Sequence, residues 1–174
     1  MIDEKILIAG FGGQGVMLLG KVLAYSAVKE KKFSTWLPSY GAEMRGGTAH
    51  CWVRISDKEI PSPVFAKPTV FFVFNQPSWD RFSSKIDSSS FVILNSSLVN
   101  TKIERKNIKK IALNEVALNL GSLKIINIIA LGVFLKYKRI IRPKTVEKVL
   151  KEFFDKKEIQ DINLKGFRWG LSNG

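Results

Sequence analysis

The sequence predicts an α/β fold in three layers on a mostly parallel, mixed sheet, and three observations predict it. Short apolar runs alternate with stretches of helical periodicity. The first apolar run leads straight into a cluster of glycines that opens a helix. The strand at residues 48–56 follows another strand with no helix between them, so the sheet is not wholly parallel.

Lys5–Ala9 (KILIA) reads as a buried first strand, and from Gly15 to about Glu30 the apolar residues Val16, Leu19, Leu23 and Ala27 recur at helical spacing. Phe33–Leu37 is a second strand that Pro38 is expected to stop. Residues 39–47 (SYGAEMRGG) hold three glycines and no periodicity, hence a loop. Thr48–Ser56 alternates, with Ala49, Cys51, Val53 and Ile55 on one face, and Asp57-Lys58 turns the chain. Val70–Phe74 and Phe91–Leu94 are continuous apolar runs, as expected of strands covered on both faces. Trp79–Ser90 between them is read as helix plus loop, and Lys109–Leu113 as another short strand. Glu115–Tyr137 is helical with a break expected at Gly121. Pro143 suits a first helical position, and Lys144–Phe154 follows as an amphipathic helix. A last short helix is expected over Asn163–Leu171. No internal repeat or linker divides the chain, so residues 1–174 are expected to form a single domain.

Composition narrows the function classes. The 174 residues are 45% hydrophobic and 25% charged, a globular balance. The N-terminal MIDEK carries two acids and no apolar core of a secretory leader, and the longest apolar run, near Ile125–Leu135, is too short to span a bilayer. Cys51 is the only cysteine, which excludes an internal disulfide and a four-thiolate iron–sulfur cluster within the chain. A cytoplasmic protein is expected. The formal charge of +13 is uneven, +3 over residues 1–99 and +10 over 100–174. The lysines mostly alternate with apolar residues, the pattern of solvated helix faces rather than of a nucleic-acid stripe with exposed aromatics.

Two glycine-rich segments carry the candidate chemistry. Gly10-Phe-Gly-Gly-Gln-Gly15 sits between a strand and a helix, a Rossmann-like glycine loop. Glycine lets a backbone approach a ligand closely, and the free N–H groups of a helix start favour an anion. Gly10, Gly12, Gly13, Gln14 and Gly15 are therefore candidate cofactor-binding residues, with a tight strand–helix turn as the equal alternative. A dinucleotide would also need an acid at the end of the second strand, and Trp36-Leu-Pro-Ser39 offers none. Tyr40, Glu43, Arg45, Gly46 and Gly47 lie in the second loop. That loop is expected at the carboxyl edge of the sheet beside the first, as an interface or substrate loop. His50, Cys51 and Asn127 are read as structural, and no catalytic or metal-ligating residue is assigned.

With both motifs placed, the chain resembles the gamma subunit of the 2-oxoacid:ferredoxin oxidoreductases. The family pattern G-x-G-G-Q-G, then S-Y-G-x-E-x-R-G-G, then a strand beginning T-A is similar to residues 10–15, 39–47 and 48–49 here. Ile60-Pro-Ser-Pro63, Asn75-Gln76 and residues 114–132, from Asn114-Glu-Val-Ala117 to Asn127-Ile-Ile-Ala-Leu-Gly132, also match, and the likeness weakens through Asp80–Lys110. Glu43-Met-Arg-Gly-Gly47 looks more like the 2-oxoglutarate type than the pyruvate type. The resemblance implies a heteromeric enzyme for coenzyme A-dependent oxidative decarboxylation. Thiamine diphosphate, magnesium and iron–sulfur clusters would lie on partner alpha and beta subunits, with a ferredoxin-like delta subunit as a further partner and ferredoxin as acceptor. This chain would be inactive alone, and its glycine loop would contact coenzyme A. The alternative is a free-standing nucleotide-binding oxidoreductase module.

Overall fold

A computed structural model describes residues 1–39 and 48–174. β1 (Asp3–Gly10) leads into α1 (Val16–Lys29), then β2 (Phe33–Ser39) and β3 (Ala49–Ser56). β4 (Val70–Val73), α2 (Gln76–Phe82), β5 (Phe91–Asn95) and β6 (Ile108–Ile111) follow. The chain ends with α3 (Leu113–Leu120), α4 (Ile126–Tyr137), α5 (Pro143–Phe153) and α6 (Lys157–Asn173). The six strands run in the order β2-β3-β1-β4-β5-β6. β1, β4, β5 and β6 pair in parallel, while β3 is antiparallel to both β1 and β2. This is the mixed sheet expected of a strand that follows another without a crossover.

The two faces of the sheet are unequally covered. Ile6, Ile8, Cys51, Val53, Phe72 and Ile93 pack beneath α1, α4 and their neighbouring helices in the larger core. Leu7, Ala9, Phe71, Val73 and Leu94 face the other way, against Trp79 and Phe82 of α2. Successive strand residues point to opposite faces, so β1, β4 and β5 need apolar residues at every position. α4 is apolar all round because it lies between sheet and α6, with Phe134 edge-on to Phe72 at 5.4 Å. Gly132 of α4 and Gly170 of α6 let the two backbones meet: a Cβ on Gly132 would run into Phe167 O and lie 2.9 Å from Gly170 Cα.

Two boundaries in particular differ from the sequence reading, and one expected break is present. β2 runs through Pro38 to Ser39, because the strand is at the sheet edge and proline's missing N–H costs no ladder bond on the open side. The last helix starts at Lys157 rather than near Asn163, its polar first turns being solvated. The helix from residue 115 is two helices, as Gly121 foretold: Gly121 has φ +114 and caps α3, and a 3-10 turn at Leu123–Ile125 redirects the chain into α4. No helix among the described residues is long and apolar enough to cross a membrane.

Candidate functional site at the carboxyl edge of the sheet

The carboxyl ends of β1, β4 and β5 are joined by a run of side-chain amides. Gln14 folds back over the glycine loop, its Oε1 accepting from Phe11 N at 2.7 Å and from Asn75 Nδ2 at 3.3 Å. Its Nε2 donates to Phe74 O at 3.4 Å. Asn95, fully buried at the end of β5, donates through Nδ2 to the same carbonyl at 3.1 Å and to Asn114 Oδ1 at 3.0 Å. Its Oδ1 accepts from Leu113 N and Ser97 N. Those two backbone donors fix which way Asn95 faces, and Asn95 then fixes Asn114. The Asn114 oxygen is engaged, which leaves its NH₂ as the group offered to the adjoining cleft.

The glycines of the loop do different things. A Cβ on Gly10 would meet Gln14 Oε1 at 2.7 Å and Phe74 Cβ at 3.0 Å, so this glycine serves the turn itself. Gly15 has φ +73 and lies under Asn127, whose Cγ would be 2.6 Å from an added Cβ. Asn127 is wholly buried, and its Nδ2 donates to Gly15 O at 3.0 Å. That bond explains a polar residue in an otherwise apolar helix: it ties α4 to the start of α1. Gly12 and Gly13 are exposed, and a Cβ on either would meet none of the described residues within 4 Å. Gly13 needs its φ of +91, whereas nothing among the described residues requires a glycine at position 12.

Two clefts flank the loop. One, of about 230 Å³, is lined by Gly13, Gln14, Asn114, Leu123, Lys124 and Ile126. The other, of about 240 Å³, lies between the loop, the first turn of α1 and Ala49. The start of α1 has neither a side-chain cap nor an acid in its first turn, whereas the 3-10 turn that leads into α4 is capped by Ser122, whose hydroxyl accepts from Lys124 N. α1 therefore presents an unscreened positive end, and Lys124 adds a full charge at the first cleft, which is suited to an anionic group. Cys51 is buried beneath α1 with its thiol pushed up to about 12 by burial, so it carries no thiolate near neutral pH. No group of three metal-ligating side chains occurs among the described residues.

Tyr40, Glu43, Arg45, Gly46 and Gly47 lie outside the described residues. The strands that flank them place both ends of their segment: Ser39 pairs with His50, and Ala49 pairs with Gly10 at the mouth of the glycine loop. Next to this junction Arg81 donates to Thr48 Oγ1 at 2.9 Å, and the rings of His50 and Phe82 are 4.9 Å apart. Asn95 and Lys124 were not singled out from the sequence. A polar residue closing the apolar run FVILN was the available signal for Asn95; Lys124, one lysine among many, had none.

The family profile of the pyruvate ferredoxin/flavodoxin oxidoreductases matches residues 5–172. The chain belongs to this family. Within it, the chain is 34% identical over 98% of its length to a ketoisovalerate oxidoreductase subunit VorA of Methanothermobacter marburgensis, but spans only 37% of that relative. It is 30% identical to a 2-oxoglutarate synthase subunit KorC of Methanocaldococcus jannaschii, covering 96% of this chain and 91% of the relative. Among solved structures, the gamma subunit of a keto/oxoacid ferredoxin oxidoreductase from Geobacter sulfurreducens superposes with a TM-score of 0.80 at 26% identity, over 97% of this chain and 96% of that one. A 2-oxoglutarate:ferredoxin oxidoreductase from Magnetococcus marinus, with 2-oxoglutarate, coenzyme A and succinyl-CoA bound, shares the fold at a TM-score of 0.87 and 22% identity, over 99% of this chain and 31% of that one.

Proposed function

We propose that the chain is the gamma-type subunit of a heteromeric, cytoplasmic 2-oxoacid:ferredoxin oxidoreductase, with 2-oxoglutarate as the oxoacid. The observation that carries this reading is the family match over nearly the whole chain, together with relatives of the same extent that are themselves separate subunits. Alpha and beta subunits supply thiamine diphosphate, magnesium and iron–sulfur clusters, a delta subunit completes the assembly, and ferredoxin receives the electrons through it. The loop wording Glu43-Met-Arg-Gly-Gly47 and the match to the 2-oxoglutarate synthase subunit over nearly the whole of both chains support 2-oxoglutarate over pyruvate.

In this assembly the glycine loop and the segment carrying Tyr40, Glu43 and Arg45 face the catalytic subunits. Coenzyme A brings the thiol that takes the acyl group, and its phosphates fit the donors offered here. The open main chain at Gly12 and Gly13, Asn114 Nδ2 and Lys124 Nζ would hold such an anion. The protein's own contribution is then to bind and orient. Gln14 and Asn127 keep the loop in shape, and Asn95 keeps the Asn114 donor facing the cleft.

The test is reconstitution. The purified chain, assayed with a panel of 2-oxoacids, coenzyme A, thiamine diphosphate and an electron acceptor, is expected to be inactive, and co-expression with the catalytic subunits of its source is expected to give an enzyme fastest on 2-oxoglutarate. Turnover by the chain alone would overturn the subunit reading, and preference for 3-methyl-2-oxobutanoate would overturn the substrate.

A further inference from the structure

The hydrogen-bond phase of the sheet determines what the open edge of β2 presents. Asp57 N donates to Ile2 O on the β3 side of β1, and Phe74 N donates to Ala9 O on the β4 side. Strand backbones point alternately to either side, so Ile6 and Ile8 face β3 while Lys5, Leu7 and Ala9 face β4. In β3, Val53 and Cys51 are the partners of Ile6 and Ile8, so Trp52 and Arg54 face β2 and bond Leu37 and Thr35. The N–H and C=O groups of Ser34 and Trp36 therefore point outward, with the Pro38 carbonyl beside them.

Along this edge the large side chains on both faces of the sheet are apolar, with Ser34 and Thr35 between them. On the helical side Tyr25, Trp36 and Phe153 wall a pocket of about 380 Å³, with Lys21 Nζ 5.0 Å above the Trp36 ring. On the other face Phe33 and Leu37 are 49% and 41% exposed. β2 itself carries no charge, although edge strands are ordinarily protected from pairing by charged side chains or covering elements. Among the described residues Pro38 alone blunts it, and two donors and three acceptors are left without a partner there.

We propose that β2 accepts an extended segment of an acidic partner polypeptide as a seventh strand. Alternate apolar side chains of that segment fill the Tyr25–Trp36–Phe153 pocket on one face and cover Phe33 and Leu37 on the other, and a carboxylate lies beside Lys21. Backbone pairing supplies affinity and the two apolar sites supply register. Charge selects the partner: a second copy would bring two chains of formal charge +13 together, whereas an acidic segment is attracted. The proposal rests on the subunit reading above, the donor being one of the catalytic subunits.

The experiment compares the isolated chain with the complex formed by co-expression with those subunits. Hydrogen exchange of the β2 peptide is expected to slow at least about tenfold in the complex. Ser34→Pro removes an outward N–H without touching the ladder to β3, and Lys21→Glu reverses the charge. Each should raise the dissociation constant of the complex at least about tenfold while the melting temperature of the isolated chain stays unchanged. If Ser34→Pro unfolds the isolated chain, Lys21→Glu and the exchange rates decide. A complex that forms with β2 exchanging as before, or with wild-type affinity in Lys21→Glu, overturns the added strand and leaves the subunit reading intact. Failure of the wild-type chain to assemble overturns both. A concentration-dependent dimer of the isolated chain that protects β2 overturns the acidic partner in favour of a second copy.

Discussion

Replacing Gly12 and Gly15 separately by alanine tests whether the glycine loop divides between internal packing and an open cradle. At Gly15 alanine must hold φ +73, which costs about 1–2 kcal/mol for an L-residue. Its Cβ also displaces the Asn127 amide and breaks the bond to Gly15 O. A buried acceptor left without its donor costs about 1–3 kcal/mol. Together these give about 2–5 kcal/mol, or about 4–20 °C in melting temperature for a chain of this length. At Gly12 the new methyl meets no atom of the described residues within 4 Å and φ lies outside the left-handed region, so stability should change by less than about 0.5 kcal/mol. Gly13→Ala should fall between them, with backbone strain and no clash. Differential scanning calorimetry of the three variants checks the order. A Gly12→Ala variant as unstable as Gly15→Ala, or a Gly15→Ala variant within about 1 °C of wild type, would refute the division. With the order confirmed, loss of complex activity in Gly12→Ala would mark contact with something outside this chain.

Four further outcomes follow from named contacts. Gly132→Ala drives a methyl into the α6 backbone and should cost about 3 kcal/mol or more, read as a fall in the urea midpoint with the slope retained. Asn95→Leu orphans the Leu113 N–H and should cost about 2–4 kcal/mol, and Asn95→Asp should weaken diphosphate binding to the isolated chain by placing a negative charge beside Asn114. Burial raises the carboxyl pKa of Glu30, but hydrogen bonds from Thr145 and from the Arg142 backbone and side chain outweigh it and hold the folded value below the usual 4.5. A depressed carboxyl contributes stability above its unfolded pKa and loses it as pH falls through the folded value, so wild type should lose more stability than Glu30→Gln on acidification below about pH 4.5, measured by denaturant titration. Cys51 should resist a thiol-specific disulfide reagent in the native chain at pH 8 and react once unfolded; rapid native reaction would contradict its burial.

The amino-acid order alone carried the parts that depend on neighbours in sequence. The apolar runs of β1, β4 and β5, the periodicity of α1 and α5, the break at Gly121 and the start of α5 at Pro143 are local signals, set by side-chain pattern and backbone stereochemistry. The two glycine loops and their order were legible for the same reason, and with them the family. Tertiary structure alone decided what each glycine is for. Gly10, Gly12, Gly13 and Gly15 look equivalent in the sequence, yet two are covered by Gln14, Phe74 and Asn127, residues as many as 112 positions away, and two are open. The facing of Asn114 depends on Asn95 at the end of another strand, itself oriented by Ser97 N and Leu113 N, and the exposure of β2 depends on which strands happen to pair. Such features arise when distant segments meet and satisfy one another's hydrogen bonds and volume, and no local pattern encodes which atoms will meet.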